Sequence, residues 1–224
     1  MRPMLKPSLF LIGLACLSAG LPACRIVATS QKNATTASDG STSNDAAFDP
    51  DKMVAGLWEP KVIPYLTAKA GSFADVRDLA RKSPDEAGAK FGYRAKEGTT
   101  PWTLVVKIEG RIVAVDTASR AGTIGVDTDK DGKADLTVQI GPAMRGTALR
   151  DSLDFVSFNN FTNQIDFARF GKSFNQYVNR TLLEALPRDA LNGRPVTILG
   201  AFPLEKSDDL PLVTPAQVTV GPAS

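Results

Sequence analysis

The stretch WTLVVKIEGRIVAVD, residues 102–116, is a long run of strand-forming residues with one glycine, Gly110, near its centre. A glycine inside a strand permits a sharp bend or a bulge. A strand that bends in this way can take part in both halves of a closed sheet. The stretch therefore predicts the first strand of a small barrel.

Four more strands and one helix are expected after the bent strand. In the third strand, Leu136, Val138 and Ile140 alternate with polar residues, so one face is buried. Large apolar residues repeat at helical spacing in the predicted helix. The predicted elements are strands at 122–126 and 134–140, a helix at 166–186, and strands at 196–202 and 212–220.

The order of these elements, β-β-β-α-β-β, is typical of an OB-like five-stranded barrel, in which the helix closes one end. We therefore predict an α+β, mainly β fold with this barrel preceded by a small helical region. A five-stranded α+β sheet covered by one helix is the alternative. The position of Gly110, where the first strand must turn, favours the barrel.

Helix signals precede the barrel. Asp49 and Pro50 supply an N-cap and a first-turn proline, and Ser72 supplies a second cap. Pro60 and Pro64 are expected to break the first helical run into two short helices. The predicted organisation is a signal peptide at 1–23, a flexible tether at 24–48, a helical region at 49–98 and the OB-like domain at 99–224.

The beginning of the chain has the order of a bacterial lipoprotein signal. A basic start is followed by an apolar run at 9–17, too short to span a bilayer, and LPAC at 21–24 reads as a lipobox. Cys24 is therefore the predicted lipidation site, and acyl chains such as palmitate would hold the protein at a membrane. An ordinary secretory signal cut elsewhere, or an uncleaved anchor, is the alternative, because Pro22 is less usual at its place.

The tether prediction comes from composition. Its residues are mostly Ser, Thr, Asn, Ala and Asp, which cannot bury enough apolar surface to offset the entropy of ordering. Such a segment spans about 25–30 Å as a random coil. We therefore expect a domain in the bacterial periplasm, anchored by lipid to the inner or the outer membrane.

Composition excludes several classes of function. The chain has 26 Lys and Arg against 24 Asp and Glu, and the signal removes Arg2 and Lys6, so the mature chain is neutral. Nucleic-acid binding driven by basic charge is not expected. Histidine is absent, which excludes Ser-His-Asp and Cys-His catalysis and imidazole metal sites. Cys16 leaves with the signal and Cys24 is acylated, so the mature monomer has no disulfide.

The loop DTDKDGKAD, residues 127–135, matches the pattern D-x-D-x-D-G-x-x-D of calcium sites between strands. It departs from an EF-hand, because Val138 replaces the closing Glu and strands flank the loop. We predict calcium in a structural role. An acidic hairpin turn without an ion is the alternative. The predicted ligands are the side chains of Asp127, Asp129, Asp131 and Asp135 and the carbonyl of Lys133.

Three motifs together resemble a known family. They are GTIGVDTDKDGKADLTVQIGP at 122–142, the polar and aromatic segment at 141–164, and VTILGAF at 196–202. The chain is similar in these motifs to a bacterial family of predicted periplasmic lipoproteins of unknown function, and the likeness spans most of the mature chain. It implies an exported, lipid-anchored protein without an established activity, sometimes encoded near sugar-type ABC transporters.

Polar residues of the segment at 142–165 are candidates for a ligand cleft. Guanidinium groups there could hold a carboxylate or phosphate, and amides could pair with sugar hydroxyls. Alternatively, the same groups satisfy the backbone of a long surface segment. The candidate ligand-binding residues are Arg145, Arg150, Asp151, Asn159, Asn160, Asn163 and Gln164.

Two functions of different classes follow. The first is a non-enzymatic accessory protein that binds a ligand or partner, such as a transporter or another envelope protein. The second is a periplasmic hydrolase that uses carboxylates, such as Asp151 with Asp154 or Asp166. The first is favoured, because no paired carboxylates lie on an identifiable scaffold and histidine is missing.

Overall fold

The structure is a computed structural model that describes residues 48–95, 100–205 and 209–222. Short helices come first, the strands follow, and one long helix lies between the third and fourth strands of the barrel. The helices are α1 (Pro50–Leu57), α2 (Ile63–Lys69), α3 (Phe73–Lys82), α4 (Pro84–Phe91), α5 (Ala148–Asp151) and α6 (Gln164–Val178). The strands are β1 (Gly71–Ser72), β2 (Gly92–Tyr93), β3 (Thr103–Asp116), β4 (Thr123–Asp127), β5 (Leu136–Gln139), β6 (Pro195–Pro203) and β7 (Leu212–Val220).

The five longer strands close into a barrel. Strand β3 pairs with β6 over Thr103–Arg111 and with β4 over Arg111–Asp116, so it belongs to both halves of the sheet. From β4 the sheet continues through β5, β7 and β6 back to β3, and β5 and β7 are parallel. This is the OB-like order that the sequence predicts, with α6 between β5 and β6.

The change of partner along β3 takes place at Gly110 and Arg111. A Cβ on Gly110 would lie 2.3 Å from the backbone oxygen of Asp127, so only glycine lets β4 approach this closely. The register of β3 on β4 shifts between Ile112 and Ala114, which marks a bulge beside the bend. The prediction of a bend at this glycine is confirmed.

The expectation that Pro60 and Pro64 divide the first helical run into two short helices is confirmed in part. The two short helices α1 and α2 are present, but the run between them is not interrupted. A π-helical turn at Trp58–Val62 joins them, closed by a bond from the Ile63 N–H to the Trp58 carbonyl. A π turn adds one residue to the helical ring. It thereby accommodates the missing N–H and the steric bulk of a proline, which a regular α-helix cannot.

The long helix also differs from its expected bounds. It begins at Gln164, two residues before the predicted start, because Asn163 caps it by accepting a bond from the Asp166 N–H. After Val178 the chain continues as a π-helical turn, Asn179–Leu183. Residues predicted as one helix therefore form an α-helix and a wider turn.

The core lies inside the barrel and between the barrel and the helices. Helix α6 buries Phe170 and Phe174 fully, and their rings meet at 5.1 Å in an edge-to-face arrangement. Trp58 continues this row, with its ring 6.0 Å from that of Phe174 and 4.8 Å from that of Tyr177. The helical region and the barrel therefore share one apolar core within one compact unit.

The predicted signal, the lipidation site and nearly all of the predicted tether lie outside the described residues, and the domain boundaries stay predictions. Within the described ranges, no helix is both long and apolar enough to cross a membrane.

Candidate functional site

The acidic loop between β4 and β5 is organised around Asp127. The residue is 5% exposed, and its carboxylate accepts hydrogen bonds from the backbone N–H groups of Asp129 (3.1 Å), Lys130 (2.6 Å) and Gly132 (2.9 Å). Lys130 and Gly132 both have positive φ angles, 70° and 84°, which glycine adopts at no steric cost. Asp127 therefore holds the turn together from inside.

The next acidic residues are exposed and bond locally. Asp129 accepts a bond of 3.2 Å from the Asp131 N–H, and Asp131 accepts one of 2.7 Å from the Lys133 N–H. These are the local bonds that Asp makes in turns. The side chains of Asp129, Asp131 and Lys133 all face solvent.

Asp135, at the end of the loop, is tied to two other parts of the chain. One oxygen accepts a 2.7 Å bond from the guanidinium of Arg77 on α3, and the other accepts bonds from the backbone N–H (2.8 Å) and hydroxyl (2.6 Å) of Thr128. Burial raises the pKa of this carboxyl, but the Thr128 bonds and the Arg77 charge outweigh it, so the pKa lies below its ordinary value.

Carboxylate oxygens of Asp127, Asp129 and Asp135 lie within 4.8 Å of one another. The structure thus brings together three of the four predicted carboxylates, while Asp131 is outside this group. Three converging oxygens suit a hard cation such as calcium. Arg77 already supplies one positive charge to the same group.

Arg150 and Asp151 lie together at the end of α5, and both are engaged within the chain. Arg150 donates to Asp151 (2.8 Å), to the Thr147 hydroxyl (3.0 Å) and to the Phe167 carbonyl (3.3 Å). Its guanidinium also lies 3.9 Å from the centre of the Phe167 ring. These contacts, which include a cation–π contact, hold α5 against α6.

Arg145 is held in the domain through hydrogen bonds of its backbone. The amide side chain of Gln139, which is buried, accepts a bond of 2.6 Å from the Arg145 N–H and donates one of 3.0 Å to the Arg145 carbonyl. The same amide donates to the hydroxyl of Thr214 at 2.9 Å. The Arg145 side chain is exposed. Gln139, which was not among the predicted site residues, fixes this part of the segment.

The four candidate amides do not form one cluster of contacts. Asn160 accepts a bond from the Ser157 N–H at 2.8 Å, and the Asn159 N–H donates to the Ser157 hydroxyl at 3.3 Å. Asn163 caps α6, and Gln164 is the exposed first residue of that helix. The contacts of Asn160 and Asn163 agree with the alternative interpretation, in which the amide side chains satisfy backbone hydrogen-bonding groups of a surface segment.

The carboxylates of the hydrolase alternative are separately engaged. Asp151 is paired with Arg150 at 2.6 Å, and Asp166 accepts from the Asn163 amide at 2.9 Å. Asp154 lies beside Tyr65, and burial together with that negative charge raises the pKa of Tyr65 to about 12. None of these contacts joins two of the three carboxylates.

A shallow polar depression of about 450 Å³ was not predicted. It is bordered by the loop after β3, by the residue that follows Gly141, and by the π-helical turn with the chain beyond it. We call it the polar hollow, and its lining residues are Thr117, Ala118, Ser119, Arg120, Pro142, Asn179, Glu184 and Arg188.

Two charged groups of the polar hollow are held in place. The guanidinium of Arg188 donates to the Ile140 carbonyl at 2.7 Å, and the Asn179 amide donates to the Glu184 carboxylate at 2.8 Å. The hollow joins residues from distant parts of the chain, so no local pattern could have revealed it. In the structure the π-helical turn Asn179–Leu183 draws attention to this place, because such turns are frequent at functional sites.

The chain resembles known proteins in sequence and in fold. A family model described as "Predicted periplasmic lipoprotein (DUF2291)" matches residues 14–219. An OB-fold protein from Thermotoga maritima is similar with a TM-score of 0.62 and 17% identity, over 78% of this chain and 99% of that chain. At this identity the likeness shows the fold alone. No curated protein matches the chain.

Proposed function

The chain belongs to the family of predicted periplasmic lipoproteins, and we propose that it works there as a lipid-anchored accessory protein that binds a ligand or a partner and is not an enzyme. The family places the protein in the periplasm, attached to a cell membrane by lipid. Its ligand, its partner and the attachment of the lipid to Cys24 are proposals.

The polar hollow carries the ligand part of this proposal. Arg188 and Glu184 present opposite charges that other groups hold in position, and the hydroxyls of Thr117 and Ser119 border the same depression. Its volume of about 450 Å³ is enough for a small solute, which so shallow a depression would hold weakly. Groups that both donate and accept hydrogen bonds suit a small solute with several hydroxyl or carboxylate groups, such as a sugar.

Isothermal titration of the full chain with a panel of monosaccharides and uronic acids tests the hollow. We expect weak, saturable binding of at least one solute, and at least a tenfold loss of affinity in Arg120→Ala. Arg81→Ala removes an exposed arginine on α3 and serves as the control. If no solute of the panel binds, or if both variants bind equally well, the proposed site is refuted.

A membrane transporter is the partner that we propose, since the three motifs at 122–142, 141–164 and 196–202 resemble a family sometimes encoded near such transporters. Cross-linking in intact cells, followed by purification of this chain and mass spectrometry, tests the association. We expect transporter subunits to be enriched over a sample from Cys24→Ser cells, in which the protein carries no lipid. Equal recovery of such subunits from both samples contradicts the association.

Cys24 is the proposed site of lipid attachment. The cysteine follows an apolar run and small residues, as the modifying enzymes require. Labelling of cells with palmitate is expected to mark the wild-type protein and not Cys24→Ser. A wild-type protein without label, or recovery of its intact precursor from the cytosol, would disprove acylation here.

For the acidic loop we propose a weak structural calcium site. Support comes from the convergence of Asp127, Asp129 and Asp135, and from the loop geometry that Gly132 permits. Because Arg77 bonds to Asp135, calcium would share that carboxylate with the guanidinium or displace it. The ion is therefore expected to stabilise the loop and not to take part in a reaction.

A further inference from the structure

Large apolar side chains are exposed over a short part of the chain, just before α6 and in its first turn. Phe155 is 37% exposed, Phe158 is 45% exposed and Ile165 is 65% exposed. We call these three residues and the chain between them the 155–165 surface. The three residues lie close together in the chain, and apolar patches on a surface commonly mark contact sites for proteins or membranes.

The exposed rings are held by aromatic contacts underneath. The Phe158 ring meets that of Phe167 edge-to-face at 5.7 Å, and the Phe155 ring meets that of Tyr65 in the same way at 5.5 Å. Arg150 fixes Phe167 in turn. The rings are thus presented to solvent on a firm base, at little further cost in side-chain entropy.

The N-terminal part of the chain joins the domain at this same surface. Phe48, the first described residue, packs edge-to-face on Phe161 at 5.9 Å. Between Cys24 and Phe48 lie 23 residues, which can span at most about 80 Å when fully extended. A lipid on Cys24 therefore keeps the 155–165 surface within reach of the bilayer at all times.

The outward face of α6 adds basic groups next to this surface. Ile165 and Ala168 lie in a shallow depression of about 440 Å³ whose other lining residues are Gln164, Arg169 and Lys172. An apolar centre with cations beside it is typical of helices that lie at a membrane interface, where long basic side chains reach the headgroups. The acid in this turn, Asp166, is 16% exposed and lies 3.8 Å from Arg169.

We propose that the 155–165 surface docks on the phospholipid bilayer, with Phe158 and Ile165 at the boundary of headgroups and acyl chains and Lys172 at the phosphates. The inference rests on the proposed lipid anchor, which confines the domain near the membrane. Confinement makes docking intramolecular in effect, so a small apolar contact suffices. Docking would fix the orientation of the barrel and direct the remaining surface toward the periplasm.

The test uses the full lipidated chain with single cysteines. Phe158→Cys and Ile165→Cys are labelled with the fluorophore NBD, and Gln217→Cys, exposed on β7, is the matched control. Cys16 is removed with the signal and Cys24 carries lipid, so the added thiol alone reacts. Labelled protein is reconstituted into vesicles of phosphatidylethanolamine and phosphatidylglycerol, and emission is recorded with and without spin-labelled lipid.

Docking predicts a blue shift and a several-fold rise in emission at 158 and 165, quenching by the spin-labelled lipid, and neither effect at 217. Flotation of the vesicles reports anchoring separately. Protein that floats while all three labels stay in water overturns the docking inference and leaves the anchor intact. Protein that does not float refutes the anchor, and docking with it. Labels that shift only in native membranes would show that a protein covers the surface, which also overturns the inference.

Discussion

The guanidinium of Arg77 donates a 2.7 Å hydrogen bond to the carboxylate of Asp135, 58 positions away in the chain. The side chains are 26% and 13% exposed, so the pair is largely shielded from water. It connects α3 in the helical region to the acidic loop of the barrel. The loop is therefore held from outside by Arg77 and from inside by Asp127.

Arg77→Gln is expected to destabilise the protein, because it leaves Asp135 shielded without its charged partner. Loss of one such partner costs about 1–3 kcal/mol. The free energy of unfolding in urea, measured without calcium, gives the value. Lys107→Gln is the control, since its pair with Glu109 is exposed to solvent and contributes little to stability. Equal effects of the two substitutions would contradict the role of Arg77.

Calcium is expected to raise the melting temperature of the wild-type protein. At tenfold excess over Kd the stabilisation is about 1.4 kcal/mol. For a protein of this size that corresponds to about 3–6 °C. Asp129→Ala should fold, because its side chain bonds only to the Asp131 N–H among the described residues, but it should lose the response.

Chelator and magnesium are the controls for this measurement. If the melting temperature of the wild type is the same with calcium and with chelator, the loop is an acidic turn without an ion. Arg77→Gln sharpens the test, because removal of a competing cation should increase the apparent affinity for calcium.

Gly110→Ala is expected to disrupt the barrel. The new Cβ would lie 2.3 Å from the Asp127 oxygen, so β3 and β4 must separate at the bend, which typically costs about 1–3 kcal/mol. Gly56→Ala is the matched control within α1, where a Cβ would meet nothing within 4 Å. There alanine should stabilise by up to about 1 kcal/mol. The melting temperatures of both variants test this expectation. A Gly110→Ala protein that is as stable as the wild type would show that the bend does not need glycine.

Arg150→Ala should lower the free energy of unfolding by about 2–4 kcal/mol, because Asp151 loses its partner and Phe167 its cation. Arg145→Ala removes an exposed side chain and should change it by no more than about 0.5 kcal/mol. Urea unfolding compares the two. An Arg150→Ala protein as stable as the wild type would argue that this arginine serves a ligand and not the fold.

Tyr65 should ionise later than an ordinary tyrosine. The raised pKa favours the neutral phenol in the folded state, so stability is unaffected below pH 10 and is lost as the pH rises from about 10 to about 12. The chain has 3 tyrosines. Absorbance at high pH should therefore show a late step that Tyr65→Phe removes. If Tyr65→Phe leaves the latest step unchanged, Tyr65 is not the tyrosine with the raised pKa.

Local patterns in the sequence predict the strands of the barrel. Strand-forming residues on both sides of Gly110 and alternation at Leu136, Val138 and Ile140 are local patterns, and each follows from the period of a strand. The turn at Asp127–Asp135 was also predicted from the sequence. Asp favours turns through bonds to its nearby backbone, and Gly favours them through its freedom to adopt positive φ. At Pro60 the sequence predicted the end of a regular α-helix but not the π turn that continues the helical run.

The sequence alone determined the order of the strands along the chain, the acidic turn and the likeness to the family. Each of these depends on patterns of residues that are close together in the chain. Only the tertiary structure decided the partners of the charged side chains: Arg77 meets Asp135, and Arg150 stacks on Phe167. It also assembled the polar hollow and placed Phe155 on Tyr65. Such contacts join residues that are far apart in sequence, and periodicity carries no information about which side chains will meet once the barrel closes.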